Sequence, residues 1–401
     1  MPKICVLGLG YIGLPTSVVF AGCGFQVIGV DINQVIVEKI NTGETHIVEP
    51  NLNEQLKVVL KNKSFVARTS PVEADIFIIA VPTPYIVGEN GIFNPDTSMI
   101  FKAIESISKV IKKNNLIILE STSPIGSTEK IYQFIHEKTG FTSEEVKFAY
   151  CPERVLPGNI FNELVNNDRV IGGLTLEATN QARNIYEQIC NGDLYTTNAK
   201  TAEMVKLTEN SYRDINIAFA NEISIICDEI NIDVNELIKL ANHHPRVNIL
   251  NPGCGVGGHC IAIDPWFIAS QFPDITPLIQ QARRVNLKKT LWTINKIKKI
   301  ATSYYNANGK SPLLGCLGLT FKANIDDLRE SPALKITQEL IKDNYKLMVS
   351  EPNLLKYHEV KLHHYEEVIQ KSDLVFILVA HKEFKAIKSD NKKIYDFCGI
   401  S

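Results

Sequence analysis

The sequence lacks the features that point to a membrane, to nucleic acid or to a metal. No apolar run is long enough to span a bilayer, and 42 basic against 44 acidic residues leave a formal net charge of -2. No CxxC pair occurs among the nine cysteines, and His243, His244 and His259 lack the spacing of metal ligands. We therefore expect no metal site, no nucleic-acid partner and no membrane partner.

The remaining composition is typical of a globular enzyme with reduced thiols. Hydrophobic residues make up 45% of the chain and charged residues 21%, and 401 residues exceed what one core usually holds. The first predicted strand begins almost at Met1, which leaves no room for a signal peptide. Because the odd number of cysteines is scattered without a framework, we expect a multidomain protein of the cytoplasm.

A glycine-rich turn near the N-terminus predicts a dinucleotide site. The apolar run 4–7 leads into Gly8, Gly10 and Gly13, spaced as GxGxxG, and Asp31 closes the next predicted strand. The three glycines allow a tight turn, close approach of a pyrophosphate, and close packing of helix on strand. A carboxylate at position 31 would bind ribose hydroxyls and repel a 2′-phosphate, which favours NAD over NADP. The alternative is a glycine turn that binds nothing.

The alternation of predicted strands and helices divides the chain into three parts. We predict an α/β fold with two Rossmann-like, doubly wound domains at 1–195 and 311–401, joined by a central helical domain at 196–310. The central domain rests on long helical stretches at about 201–231 and 275–305, which favour a dimer surface.

Two short loops follow predicted strands of the first domain. These are VPTP at 81–84 and EST at 120–122. Because cofactors lie over the carboxyl ends of parallel strands, we expect both loops to contact NAD. Ordinary turn chemistry is the alternative for each.

Cys260 is the candidate nucleophile. It lies in the run GVGGHC at 255–260, with Asp264 four residues later. A thiolate beside a nicotinamide cofactor can capture an aldehyde, which is then oxidised to a thioester and hydrolysed to an acid. A thiolate needs a nearby positive charge, for which Lys206 and the dipole of the following helical turn are candidates. An inert core cysteine is the alternative, but the glycines favour close approach of a ligand.

The first long helix brings Lys206, Asn210 and Arg213 to one face, because they are spaced at i, i+4 and i+7. Apolar neighbours such as Met204 and Leu207 indicate a largely buried helix, in which a lysine needs a partner or a function. A solvated polar face is the alternative.

Longer motifs match one known family over nearly the whole chain. They are GLGYIGLP at 8–15, VPTP at 81–84, EST at 120–122, CPERVLPG at 151–158, AEMVKLTENSYRDINIA at 202–218, HPRVNI at 244–249, GVGGHC at 255–260, DPWF at 264–267 and FKANIDDLRESPA at 321–333. The chain resembles the nucleotide-sugar 6-dehydrogenases of the UDP-glucose/GDP-mannose dehydrogenase family, above all the branch that acts on N-acetylhexosamines. The resemblance implies a homodimer that oxidises a sugar C6 alcohol to the uronic acid with two NAD. UDP-N-acetyl-D-mannosamine is the expected substrate.

The same resemblance implies roles for individual residues. Cys260 would be the nucleophile, and Asp264 would place the hydrolytic water. Lys206 would transfer a proton and, with Asn210, steady the developing oxyanion. Thr122 and Glu153 would organise water and the nicotinamide. The implied NAD contacts are Gly8, Gly10, Tyr11, Ile12, Gly13, Asp31, Thr83, Thr122 and Arg329. The implied substrate contacts are Arg154, Val155, Lys206, Asn210, Arg213, His244, Arg246, Gly257, Phe321 and Lys322, with Arg246 acting across the dimer interface.

One position departs from the family pattern and leaves alternatives open. Members that oxidise UDP-glucose carry a second Glu four positions after the residue equivalent to Glu153, where this chain has Pro157. The general base therefore does not transfer, and UDP-glucose becomes a weaker alternative beside UDP-N-acetylglucosamine, UDP-N-acetylgalactosamine and GDP-mannose. A catalytically silent NAD-binding scaffold and a two-electron hydroxyacid dehydrogenase are the other classes of protein. The presence of Cys260 argues against the scaffold. A hydroxyacid dehydrogenase would form one NADH per product instead of two.

Overall fold

The chain folds into two compact units in the computed structural model. The described residues are 1–88, 93–156, 158–387 and 393–400, so Pro157 lies outside them. The N-terminal unit is Met1–Thr208 and the C-terminal unit is Glu209–Ser401. Their boundary falls within one long helix, Ala199–Ile230, and the predicted three-part division at 195 and 310 stays a prediction. No helix of the described residues is long and apolar enough to cross a membrane.

The N-terminal unit alternates strands and helices. Its strands are β1 (Lys3–Leu7), β2 (Gln26–Val30), β3 (Phe65–Arg68), β4 (Ile76–Ile79), β5 (Tyr85–Val87), β6 (Phe93–Pro95), β7 (Leu116–Leu119), β8 (Lys147–Tyr150), β9 (Arg169–Gly173) and β10 (Leu194–Asn198). Its helices are α1 (Gly13–Gly22), α2 (Gln34–Asn41), α3 (Leu52–Lys61), α4 (Ser98–Ile107), α5 (Ser127–Thr139), α6 (Ile160–Asn166), α7 (Leu176–Tyr186) and the start of α8 (Ala199–Ile230).

Eight of these strands form one sheet in the order β10-β9-β8-β7-β4-β1-β2-β3. The run from β3 to β8 is parallel throughout, and β9 joins β8 antiparallel. Parallel strands that are apolar along their whole length, such as Ile76–Ile79 and Leu116–Leu119, are buried because helices cover both faces of the sheet. The predicted doubly wound, mostly parallel sheet is confirmed, and the strand order reverses beside β1, where such folds bind ligands.

The C-terminal unit combines helices with a smaller sheet. Beyond α8 its helices are α9 (Val234–Ala241), α10 (Asp264–Gln271), α11 (Pro277–Asn308), α12 (Pro332–Lys342) and α13 (Tyr365–Lys371). Its strands are β11 (Leu314–Leu317), β12 (Leu347–Ser350), β13 (Leu374–Ile377) and β14 (Ile394–Asp396), all parallel, in the order β12-β11-β13-β14. The two long helices and the second parallel sheet agree with the sequence prediction.

Candidate active site

The glycine-rich turn lies at the carboxyl end of β1, and glycine suits each of its three positions for a different physical reason. Gly8 has φ +92°, a conformation that side chains rarely adopt. A Cβ at Gly13 would lie 1.8 Å from the carbonyl oxygen of Gly8, so helix and turn pack too closely for any other residue. A Cβ at Gly10 would meet no atom of the described residues within 4 Å. The backbone at Gly10 is therefore open to a ligand, as a pyrophosphate site requires.

Asp31 lies beside this turn at the end of β2. Its carboxylate accepts hydrogen bonds from the backbone N–H of Leu9 at 3.1 Å and of Asn33 at 2.9 Å. Both contacts hold the carboxylate at the carboxyl edge of the sheet, where a ribose would extend from the pyrophosphate. The turn, Asp31 and the N-terminus of α1 thus fit a dinucleotide.

The loops after β4 and β7 are joined to each other. The Ser121 hydroxyl donates to the carbonyl oxygen of Val81 at 2.7 Å. Thr83 and Thr122, the predicted contacts in these loops, are both partly exposed, as are Tyr11 and Ile12 beside the glycine turn. The strand order places these loops next to the glycine turn at one edge of the sheet.

Glu153 is held by a buried ion pair just after β8. Its Oε1 lies 2.7 Å from Nη1 of Arg169, and the two side chains are 7% and 3% exposed. Burial raises the pKa of the Glu153 carboxyl, while the charge of Arg169 opposes that rise. Neighbouring Arg154 donates its guanidinium to the carbonyl oxygen of Asp168.

Lys206 is buried on α8, with 7% of its surface exposed. No hydrogen bond to another described residue satisfies its ammonium. Its positive charge favours the ionised form of Glu153 and lowers the pKa of that carboxyl. A buried ammonium with unused donors is suited to an anionic or developing oxyanion ligand.

In the C-terminal unit, Cys260 begins the turn that leads into α10. Its carbonyl oxygen accepts from the backbone N–H of Ile263 at 3.0 Å and of Asp264 at 2.8 Å. The backbone of Cys260 is therefore joined to the first turn of α10, whose macrodipole stabilises negative charge near its N-terminus. Its residue is partly exposed, and none of the nine cysteines, all of them described, is in a disulfide.

The glycines before Cys260 are packed against the loop that precedes α12. A Cβ at Gly257 would lie 2.4 Å from the carbonyl oxygen of Glu330, and one at Gly258 would lie 2.7 Å from the ring of Phe321. Gly258 has φ +82°, and its N–H donates to the carbonyl oxygen of Arg329 at 3.0 Å. The glycines therefore bring the predicted substrate residues Gly257 and Phe321 together.

Asp264 and Asn210 form a second buried pair. Asn210 Nδ2 donates to Asp264 Oδ2 at 2.5 Å, and the residues are 8% and 2% exposed. The amide fixes one carboxylate oxygen of Asp264, four residues after the predicted nucleophile. The carboxylate can therefore act as an oriented proton acceptor close in sequence to Cys260.

Several of the predicted substrate contacts are exposed to solvent. Arg213 on α8 is exposed, and so are His244, Arg246 and Lys322 outside that helix, whereas Val155 is partly exposed. Arg329 forms a bidentate ion pair with Asp327 within the C-terminal unit, with Nε at 3.0 Å and Nη2 at 2.5 Å. Its predicted NAD contact stays a prediction.

Sequence reasoning missed the residues that support the site. Arg169 was not predicted, because a buried charge outside a known motif gives no local signal, and Glu120 was predicted only as part of the EST loop at 120–122. Asn221 was also missed, although its Oδ1 accepts the N–H of Gly253 at 2.9 Å and thus ties α8 to the loop that leads to Cys260. Its only sequence signal is a polar side chain on the inner face of a long helix.

The fold and these two groups of residues define an NAD-dependent oxidoreductase acting on CH–OH. Family models match residues 2–190 as the NAD binding domain, 200–288 as the central domain and 315–400 as the UDP binding domain. The chain belongs to the UDP-glucose/GDP-mannose dehydrogenase family.

Individual relatives are similar over nearly the full length. The chain is 50% identical to the UDP-N-acetyl-D-mannosamine dehydrogenase of Campylobacter jejuni, over 99% of both chains. It is 46% identical to the NDP-N-acetyl-D-galactosaminuronic acid dehydrogenase of Ralstonia nicotianae, over 96% of this chain and 92% of that one. The solved structure of the UDP-D-ManNAc dehydrogenase of Pyrococcus horikoshii matches with a TM-score of 0.90 and 38% identity, covering 100% of this chain and 96% of the other.

Proposed function

We propose that this protein oxidises the C6 alcohol of UDP-N-acetyl-D-mannosamine to the uronic acid. The observation that carries the proposal is the carboxylate of Asp264, which Asn210 orients at 2.5 Å four residues after Cys260 and the closely packed Gly257 and Gly258. The 50% identical relative that bears this activity in its name supports the choice of sugar. A UDP-N-acetylgalactosamine derivative is the second candidate, supported by the 46% identical relative.

The cofactor site is proposed in the N-terminal unit. Gly8, Gly10 and Gly13 would hold the pyrophosphate of NAD, and Asp31 would accept the ribose hydroxyls. Tyr11, Ile12, Thr83, Thr122 and Arg329 are the further proposed contacts. When bound, the nicotinamide accepts a hydride from the C6 carbon, once for the alcohol and once for the thiohemiacetal.

The residues of the chain supply proton transfer and covalent capture. Water held by Thr122 and Glu153 would take the proton of the C6 hydroxyl as the hydride leaves, and the Lys206 ammonium would stabilise the developing alkoxide. The Cys260 thiolate would then add to the aldehyde carbon, and the resulting oxyanion would be steadied by Lys206. Loss of the second hydride converts this adduct to a thioester. Asp264 would take one proton from a water molecule as the water oxygen attacks the thioester carbon, which releases the uronic acid and the thiolate of Cys260.

The proposed substrate contacts are a group of basic side chains and a group of uncharged residues. Arg154, Arg213, His244, Arg246 and Lys322 would serve the diphosphate and sugar, because guanidinium and ammonium groups suit phosphate oxygens. Val155, Asn210, Gly257 and Phe321 are the other proposed contacts.

A homodimer and a cytoplasmic location belong to the same proposal. The exposed side chains Tyr212, Phe219, Ile226 and Ile230 recur at i, i+7, i+14 and i+18 along α8, so they form one apolar stripe. Such a stripe is typical of a protein interface, and a second copy would bring Arg246 into the partner's site. Nine cysteines without a disulfide, all within the described residues, suit a reducing compartment.

A panel of nucleotide sugars tests the proposal. NADH formation is measured with UDP-N-acetylmannosamine, UDP-N-acetylglucosamine, UDP-N-acetylgalactosamine, UDP-glucose and GDP-mannose at equal concentration. We expect the highest kcat/KM with UDP-N-acetylmannosamine. No NADH with any of the five sugars would remove the proposed function, and a higher kcat/KM with the galactosamine sugar would move it to the second candidate.

A further inference from the structure

A buried cluster of two carboxyls and one guanidinium lies at the carboxyl edge of the sheet in the N-terminal unit. Glu120 follows β7, Glu153 follows β8, and Arg169 begins β9. These are neighbouring strands, so the three side chains converge below the loops that carry Thr122 and Arg154. Glu120 is 2% exposed and Arg169 is 3% exposed.

The contacts of the two carboxyls differ. Glu153 Oε1 lies 2.7 Å from Arg169 Nη1, as expected for a charge-assisted pair. Glu120 instead accepts from the hydroxyl of Tyr186 at 3.3 Å and from the hydroxyl of Thr16 at 3.4 Å. Those long contacts with neutral groups suit a neutral carboxyl, because a buried carboxylate without a contacting cation is strongly disfavoured.

Arg169 uses Nη1 and Nη2 around Glu153, while its buried Nε has no hydrogen-bond partner among the described residues. Its Nη2 donates to the carbonyl oxygen of Leu164 at 3.0 Å, its Nη1 is 3.9 Å from the sulfur of Cys151, and its guanidinium lies 4.7 Å from the ring centroid of Tyr186. Among the described residues this guanidinium forms its ion pair with Glu153 and makes no hydrogen bond to Glu120. A second negative charge at Glu120 would compete for it.

The electrostatics of the cluster agree with this division. Burial and, after it, the negative charge of Glu153 together raise the pKa of Glu120 to about 8, against the opposing charge of Arg169. Burial also raises the pKa of Cys151 to about 12 and holds that of Tyr186 well above its usual value, so neither thiol nor phenol ionises at neutral pH. Lys206 acts on Glu153 as an additional positive charge.

We propose that Glu120 is a positioning residue for the proposed reaction. While its carboxyl is neutral, Arg169 pairs with Glu153 alone. When Glu120 ionises at alkaline pH, it misaligns Glu153. This inference rests on the proposed function, because Glu153 is taken to hold the water beside the nicotinamide. The neutral Glu120 keeps Glu153 ionised and fixed. The ionised Glu120 draws the guanidinium toward itself and raises the proton affinity of Glu153, so turnover falls.

The test is the pH profile of kcat at saturating NAD and sugar for the wild type, Glu120→Gln and Glu203→Gln. An amide mimics the neutral carboxyl and cannot ionise. The kcat of the wild type should therefore fall as the pH rises, with a midpoint at about pH 8, and this fall should be absent in Glu120→Gln. Glu203 is the matched control, since it is a buried acid of the same unit whose pKa is also raised by burial, but it binds the N–H groups of Gly126 and Thr128. Glu203→Gln should keep the wild-type midpoint. The same alkaline midpoint in all three proteins overturns the proposal.

Tyr186→Phe provides an independent variant if Glu120→Gln does not fold. It removes the hydroxyl that stabilises the ionised Glu120 and keeps the ring beneath Arg169, so the alkaline midpoint should move to higher pH. An unmoved midpoint contradicts the proposal.

A readout without turnover separates this inference from the proposed function. A carboxyl whose pKa is higher in the folded than in the unfolded protein stabilises the fold most below the unfolded pKa, and that stabilisation is lost as the pH rises to the folded pKa. The melting temperature of the wild type minus that of Glu120→Gln should therefore fall between about pH 5 and 8 and stay level above it. If no sugar is oxidised, the proposed function fails while this difference still reports whether Glu120 is neutral in the folded protein. A difference that does not change with pH overturns the neutral carboxyl.

Discussion

The hydrogen bond between Asn210 and Asp264 can be converted into a clash of charges by one substitution. Asn210→Asp is nearly isosteric and replaces the amide that contacts Asp264 Oδ2 at 2.5 Å by a second carboxylate. Two unit charges at that separation repel by about 7 kcal/mol at an effective dielectric constant of 20. Both residues are buried, 8% and 2% exposed, so water screens the repulsion poorly. The pair should therefore retain one shared proton in the folded protein at neutral pH.

The sign of the pH dependence follows from that shared proton. In the unfolded chain both carboxyls ionise near their ordinary value of about 4, whereas the folded variant holds a proton well above it. Asn210→Asp should thus lose stability relative to the wild type as the pH rises from 5 to 8. The assay is thermal unfolding of both proteins at several pH values, and we expect the deficit to grow by several degrees across that range.

The exchanged double variant is the matched control. Asn210→Asp with Asp264→Asn restores one amide and one carboxylate at the same contact, so the melting temperature at pH 8 should recover most of the loss. Activity should not recover, because the proposed proton acceptor now stands on the other residue. A single variant whose deficit is equal at pH 5 and pH 8, or a double variant no more stable than the single one, would refute the reasoning.

Three further predictions concern the other parts of the site. Gly257→Ala places a methyl 2.4 Å from the carbonyl oxygen of Glu330 and should lower the free energy of unfolding in urea by about 1–3 kcal/mol. In the control Gly253→Ala the new methyl lies 3.9 Å from its nearest atom, so the loss should be smaller. Equal losses in the two variants would contradict this prediction. Asp31→Ala should raise the KM for NAD severalfold in steady-state assays, and an unchanged KM argues against a ribose contact. Lys206→Ala should lower kcat more than it raises the KM of the sugar, and the reverse pattern assigns the ammonium to ground-state binding.

The fold was predictable where short stretches of sequence determine it. The turn from Gly8 to Gly13 and the strand ending before Asp31 follow from spacing alone, and the long helix predicted at 201–231 is Ala199–Ile230 in the structure. These elements can be predicted because their periodicity and turn residues lie within short stretches of sequence.

Edge strands and short helices were harder to predict. β3 (Phe65–Arg68) alternates buried and exposed residues over four positions only, and β10 (Leu194–Asn198) is largely exposed with a polar sequence. α9 (Val234–Ala241) and α10 (Asp264–Gln271) lie between the long helices predicted at 201–231 and 275–305, where the sequence predicted no helix bounds. Such elements depend on neighbours that are distant in sequence.

The site was predictable in its motifs and not in its support. Cys260, Asp264 and Lys206 stand in recognisable runs, and the structure buries Lys206 and Asp264 as the chemistry needs. The ion pair of Glu153 with Arg169 joins two strands that lie side by side only after folding. The sequence therefore gives no indication that Glu153 will pair with Arg169, because the topology of the sheet brings the two side chains together.

Covalent capture by Cys260 is tested most directly by the yield of NADH per molecule of UDP-N-acetylmannosamine in the wild type and in Cys260→Ser. We predict two NADH and one uronate per sugar for the wild type. We predict no uronate for Cys260→Ser, although calorimetry should still detect binding of the UDP-sugar. Two NADH per sugar at the wild-type rate from Cys260→Ser would contradict the account.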